Sequence, residues 1–220
     1  MKIQELKIYT ADLSKQMDFY ANILGLPLVE KGESEAAFQI GRSLLRLKES
    51  DKFQPYHFAI NIPSHAEEHA LDWLKSRVKV LKEGEKEIQN FDSWNARAIY
   101  FYDQDNNIVE LIARKNLQYQ SMGPFNEDSL LEISEIGVPV NDIKSAYQQL
   151  TTIVELEKYD GDYEKFCAIG DEHGLFICIN KQSKDWFPTG DKAYSSEFEI
   201  KMSEKGIAHT IQFKNERFKG

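Results

Sequence analysis

The sequence predicts an α+β fold assembled from a repeated βαβββ module, and three observations predict it. Two stretches read alike: Glu5-Leu-Lys-Ile-Tyr-Thr-Ala-Asp12-Leu13 and Glu135-Ile-Gly-Val-Pro-Val-Asn-Asp142-Ile143 each run Glu, six residues, Asp, aliphatic. A looser third copy is His57-Phe-Ala-Ile-Asn-Ile-Pro-Ser64. Each copy leads into apolar residues at helical spacing, and each helix is followed by short strand-like runs bounded by turn-forming residues. The 52 residues from Glu5 to His57 suffice for one strand–helix–three-strand unit.

Each element has a local reason. In the first module, Asp12 or Ser14 can cap a helix, because a short oxygen-bearing side chain satisfies free N–H groups there. Leu13, Met17, Tyr20 and Leu24 form its apolar stripe, and Gly25 is placed to end it. Strands are expected at 26–30, 36–40 and 43–48. In the second module, Ser64 and Glu67 read as a capping box before Ala66, Ala70, Trp73 and Leu74. Strands at 78–81, 97–102 and 107–113 follow. In the third, Asn141 or Asp142 opens a helix with Ile143, Ala146, Tyr147 and Leu150 on one face, before strands at 153–157, 165–169 and 175–180. Gly123-Pro124 marks 117–127 as a linker, which divides the chain into domains at 1–116 and 128–220. The tail has an aromatic loop, Trp186-Phe187-Pro188, then strand-like runs at 194–202 and 207–214 with no helix between them. The second domain is therefore incomplete: one module plus a strand-rich tail.

Composition narrows the function classes. Among 220 residues, 36 acids against 27 Lys plus Arg give a net charge of −9, which disfavours a phosphate backbone as partner. No apolar run approaches the ~20 residues that span a bilayer, and the first residues lack a signal-peptide core. Cys167 and Cys178 are too few for a disulfide framework and suit a reducing compartment, so a cytoplasmic protein is expected. There is no Ser/His/Asp constellation, phosphate-cradling glycine loop or paired-cysteine zinc site.

Repeated βαβββ modules resemble the vicinal oxygen chelate superfamily, which includes glyoxalase I, extradiol dioxygenases and bleomycin-resistance binding proteins. The resemblance is carried by Asp12-Leu-Ser-Lys-Gln-Met-Asp-Phe19-Tyr20 with Leu24-Gly25-Leu26, and by Trp94-Asn-Ala-Arg-Ala-Ile-Tyr-Phe-Tyr-Asp103 with Asn106-Asn-Ile-Val-Glu110-Leu111. It implies that two modules of the first domain pair into a partly open barrel around a cleft. It also implies ligand positions at the first and last strand of each module: Glu5, Arg46, His57 and Glu110. Dimerisation is common in such relatives, so a homodimer is expected. A lone third module leaves a sheet edge for the tail strands or a second copy to cover.

Two readings of these residues stay open. In one, Glu5, His57 and Glu110 hold a divalent Fe, Mn, Ni or Zn ion, Glu110 being the catalytic carboxylate. The protein would then be a lyase, isomerase or ring-cleaving dioxygenase, with Arg46 steering an anionic substrate. In the other, Arg46, which cannot coordinate a cation, neutralises Glu5 or Glu110. The cleft then binds a small oxygen-rich or aromatic molecule without a four-ligand metal site. Trp94, Tyr100 and Tyr102 are candidates to stack on that molecule, whereas Trp73 is expected in the core. His65 and His69 are expected on a solvated helix face. Cys178 is matched to Glu110 by its distance from the preceding turn and read as a buried structural thiol. Glu135 matches Glu5, yet its module is read as scaffold. Asp185-Trp186-Phe187-Pro188 is expected to anchor the tail or cover a cleft.

Overall fold

The computed structural model describes residues 1–121 and 123–220. The first module runs β1 (Lys2–Thr10), α1 (Leu13–Asp18), β2 (Leu28–Lys31), β3 (Glu35–Ile40) and β4 (Ser43–Glu49). The second runs β5 (His57–Ile62), α2 (Glu67–Lys75), β6 (Val80–Leu81), β7 (Gln89–Phe91), β8 (Ala96–Tyr102) and β9 (Ile108–Arg114). The third runs β10 (Glu132–Val140), α3 (Ile143–Ile153), β11 (Lys158–Gly161), β12 (Phe166–Asp171) and β13 (Gly174–Asn180). The tail supplies β14 (Phe198–Glu204), β15 (Ile207–Lys214) and β16 (Arg217–Lys219). No helix among the described residues is long and apolar enough to cross a membrane.

Local chemistry explains the helix starts. Asp12 accepts from the Lys15 N–H at 3.0 Å, and Asp142 accepts from the Ser145 N–H at 2.9 Å. The expected Ser64–Glu67 capping box is absent. Ser64 Oγ donates to the Arg114 carbonyl at 2.7 Å, Glu67 accepts from Arg97 at 2.8 Å, and α2 starts behind Ala66. Gly25 takes a left-handed φ of +78° just after the helical turns, as a chain-reversing glycine should. The strand expected at 153–157 begins later, at Lys158, because the buried face of α3 extends through Leu150 to Val154. The expected linker carries short 3-10 turns at Lys115–Leu117 and Glu127–Ser129; Met122, within it, lies outside the described residues.

Strand pairing cuts across the expected 1–116 and 128–220 division. One sheet has seven strands in the order β16-β15-β14-β1-β4-β3-β2, joining the first module to the tail. The other follows β11-β12-β13-β10-β5-β9-β8-β6, with β7 on β8, and joins the second module to the third. The tail strands therefore extend β1, and the open edge of β10 is taken by β5 in antiparallel register. The modules are nested, outer with outer and inner with inner.

Alternation along the strands sets what each face meets. Leu6 and Ile8 of β1, Phe58 and Ile60 of β5, Ile136 and Val138 of β10, and Phe198 and Ile200 of β14 belong to one large apolar core shared by both sheets. Trp73 packs into it, with its ring 5.6 Å from Phe125. The opposite face of the inner sheet carries a second cluster rich in small residues: Ala59, Ala96, Ala98 and Ala168. Methyl side chains there leave a hollow that larger residues would fill.

Candidate metal and ligand site

The inner sheet's register builds the site. On its concave face, Tyr100 of β8 lies beside Glu110 of β9, Glu110 beside Ala59 of β5, and Ala59 beside Glu135 of β10. His57 sits one two-residue step along β5, beside Ile108. The short Ala59 side chain between Glu110 and Glu135 leaves room for both carboxylates to approach the imidazole. One ligand atom each from His57, Glu110 and Glu135 falls within 4.8 Å of the others, and all three residues are buried. A register shift between Ile133 and Glu135 re-aims Glu135 toward this face.

Electrostatics follow from burial. His57 Nδ1 lies 3.2 Å from the Ile108 carbonyl oxygen, which can only accept, so Nδ1 carries the ring proton. Burial pushes the imidazole pKa down to about 4, so the ring is neutral and Nε2 presents a lone pair. That lone pair faces Glu110 Oε2 at 3.5 Å. Burial, and then the charge of Glu135, push the Glu110 carboxyl well above the carboxylate range, against the opposing pull of Arg114 and Tyr100. Glu135 is raised by burial and drawn back by Arg114. The Arg114 side chain is fully buried and donates to Glu135 through Nη2. Its Nε donates to Asn61 Oδ1 at 3.2 Å, and its guanidinium lies 5.3 Å above the Trp94 ring. Among the described residues its Nη1 has no partner.

The donor set fits a divalent ion. A neutral imidazole nitrogen and two carboxylates form a three-donor face suited to Fe, Mn, Ni or Zn. The backbone bond to Nδ1 fixes the ring's tautomer and orientation, as outer-shell partners of metal-bound histidines do. Two acceptors facing each other at 3.5 Å need either a shared cation or a proton between them. Repeat symmetry places a fourth position on β13. Glu110 stands two residues past the partner of His57, and the same step from Leu175, the partner of Glu135, reaches Ile177. That position is apolar, so the set stays at three protein donors.

These donors floor a cavity of about 380 Å³. Its wall carries six aromatic residues: Phe91, Trp94, Tyr100, Phe166, Trp186 and Phe187. The loop after β13 lays Trp186 over His57, centroids 4.8 Å apart, and packs Phe187 edge-on against Tyr100 at 5.8 Å. Trp94 is held by a hydrogen bond from Nε1 to Asp160 Oδ2.

Of the residues read from sequence, the structure gathers His57, Glu110, Trp94 and Tyr100 at this cavity, and it separates Glu5, Arg46 and Tyr102 from it. Glu5 lies in the outer sheet, where it binds Arg46 at 3.1 Å and Lys201 at 3.0 Å. Arg46 also binds Glu30 at 2.7 Å, so it neither steers into nor neutralises the cleft. Tyr102 donates its hydroxyl to Asp191 outside the cavity. The cause is the nested pairing, which puts the first module in a different sheet from the second. Glu135 takes the place expected for Glu5, and its module is half of the site. The sequence did contain that signal, because Glu135 occupies the repeat position of Glu5. Arg114 carried none, since a basic residue at a strand end normally faces solvent. Cys178 pairs with Val138 and faces the core; its match to Glu110 is displaced by one residue, which reverses the face. Cys167 and Cys178 lie opposite each other as free buried thiols, and burial raises the Cys167 pKa to about 11 and Cys178 further. His65 and His69 are exposed.

Comparison with known proteins agrees with the architecture. Metallothiol transferase FosB of Staphylococcus epidermidis is 28% identical over 117 residues, covering 50% of this chain and 81% of that protein. FosB of Staphylococcus haemolyticus is 27% identical over the same length and coverage. A solved structure from Bacillus subtilis subsp. subtilis str. 168 superposes with TM-score 0.60 at 15% identity, covering 81% of this chain and 63% of that one. A glyoxalase I variant from Zea mays gives TM-score 0.56 at 14% identity, covering 80% and 66%. At these identities the two superpositions speak to the fold. The family model for the Glyoxalase/Bleomycin resistance protein/Dioxygenase superfamily matches residues 2–111, half of the sequence, and the chain belongs to that superfamily.

Proposed function

We propose that the cavity is the active site of a divalent-metal-dependent enzyme acting on a small molecule with two adjacent oxygen atoms on a planar, largely apolar body. The observation that carries this reading is the convergence of three buried donors, His57, Glu110 and Glu135, with the His57 Nε2 lone pair turned toward a carboxylate oxygen. These three would hold the ion, which when bound supplies Lewis-acid polarisation of the substrate oxygens. The chain's own residues do the rest. Arg114 pairs with Glu135 and favours its anionic form; Trp186 and Phe187 exclude water from the floor; Trp94 and Phe166 offer ring faces to the substrate body. The Glu110 carboxyl, raised by burial, would hold a proton beside the substrate, which suits lyase, isomerase or ring-opening chemistry. The name of the FosB relatives, metallothiol transferase, supports metal dependence for this site.

One observation favours a second reading, a metal-free receptor for the same kind of molecule. Arg114 already pairs with Glu135, and burial drives the Glu110 carboxyl toward its neutral form, so the floor has charge compensation of its own. Total metal analysis of protein purified without chelator separates the two. The enzyme reading expects a stoichiometric transition metal that is lost in His57→Ala and Glu110→Gln. Absence of metal after loading with Fe(II), Mn(II), Ni(II) and Zn(II) would leave only the receptor.

A further inference from the structure

Among the described residues, Lys184 is the only lysine in the cavity lining. It follows β13 at the start of the loop that carries Trp186, and its Nζ lies 4.5 Å from the centre of the Phe166 ring. Phe166 pairs with Ile179, one two-residue step beyond the Ile177 row that also contains Gly137 and borders His57. The lysine's station is thus displaced along the strands by about 7 Å from the His57 row and by about 13 Å from the row that holds Glu110 and Glu135. Among the described residues no carboxylate forms an ion pair with it. The two nearby acids are committed elsewhere: Asp160 accepts from Trp94 Nε1 and the Gly161 N–H, and Asp162 accepts from the Glu164 and Lys165 N–H groups. Burial lowers the Lys184 pKa, and the charge of Asp162 opposes that shift only in part. A half-buried cation over a ring, facing an aromatic hollow, is an anion receptor.

We propose that the substrate is an anion: a planar body whose acidic group docks on Lys184 while its paired oxygens face His57, Glu110 and Glu135. This rests on the metal-site reading for the far end of the molecule and on Lys184 for the near end. The two ends can be tested separately with benzohydroxamates, which present two adjacent oxygens on a flat ring. Binding of 4-carboxybenzohydroxamate and of its neutral 4-carbamoyl analogue is measured by calorimetry on the Mn(II)-loaded protein, on Lys184→Met and on His57→Ala. The expected result is a preference of roughly tenfold for the carboxylate, the scale of one charge-assisted hydrogen bond. Lys184→Met should reduce that preference to within about twofold. His57→Ala should weaken both probes alike. Equal affinity for the two probes, binding of neither, or a preference that persists in Lys184→Met overturns the proposal. A Lys184-dependent preference that survives His57→Ala and chelation upholds the anchor and defeats the metal reading; loss of both probes in His57→Ala with no dependence on Lys184 does the reverse.

Discussion

A single buried cation shows how charge is distributed in this chain. Arg114 has no exposed side-chain surface and binds Glu135, so removing it strands a carboxylate in an apolar wall. Arg114→Leu should cost about 3 kcal/mol in urea unfolding of the metal-free protein, the order found when one partner of a buried pair is deleted. Arg114→Leu/Glu135→Gln should regain more than 1 kcal/mol of that, about the coupling of neighbouring groups. Additive losses would mean that the two side chains do not depend on each other. The outer sheet holds the analogous set Glu5, Arg46 and Lys201, where pH gives the test. Burial pushes the Glu5 carboxyl up, but Arg46 and Lys201 outweigh it and hold the group below its ordinary 4.5. A depressed folded-state pKa contributes stability that is present above the unfolded value and lost as pH falls through the folded one. The penalty of Arg46→Met should therefore be larger at pH 7 than at pH 3. A penalty constant across that range would show that Arg46 acts by packing alone. The same arginine was legible in the sequence as a counter-ion to Glu5 or Glu110; that the partner is Glu5, in the outer sheet and away from the cavity, was not.

At the scale of elements, the loop after β13 is fixed by a contact that a glycine permits. A Cβ on Gly137 of β10 would lie 2.7 Å from Trp186 Cη2 and 3.1 Å from the His57 carbonyl oxygen. Because Trp186 is itself buried against the His57 ring, it has little room to yield. Gly137→Ala should destabilise by about 2 kcal/mol, in the range of core overpacking. It should also weaken binding of an aromatic chelator, since the displaced indole opens the water-excluding cover. Unchanged melting and binding would show that Trp186 moves freely. Sequence reading reached the elements well because their causes are local: Asp12 and Asp142 cap helices, and alternating apolar residues mark strands. It failed where the cause lay elsewhere in the chain. Ser64 looked like a cap, but the Arg114 carbonyl, fifty residues on, takes its hydroxyl. The bulges preceding Glu5 and Glu135, visible as register shifts against β14 and β5, have no residue signature, yet they recur at the same repeat position.

Whole-molecule pairing decides which residues share a site, and it is the level least accessible from sequence. All modules carry similar strands, so β1 could join β5, β10 or β14 without violating local pattern. The observed nesting makes the site a product of residues 57–187, while the match to the family model spans 2–111. This separates sequence similarity from the physical unit. A fragment of residues 1–116 contains His57 and Glu110 but lacks Glu135, and it exposes the β1 and β5 edges that β14 and β10 cover in the full chain. Exposed strands with unpaired N–H and C=O groups self-associate. The fragment alone should therefore aggregate or dimerise and should bind Mn(II) more weakly than the full chain, whatever fold it reaches. Co-expression with residues 117–220 should restore a soluble one-to-one complex, because every covering strand is then available in trans. Restored Mn(II) binding in that complex should depend on Glu135 supplied by the second piece, with Glu135→Ala abolishing it. A monomeric 1–116 fragment with full-strength Mn(II) affinity would instead return the site to the first two modules and remove Glu135 from it.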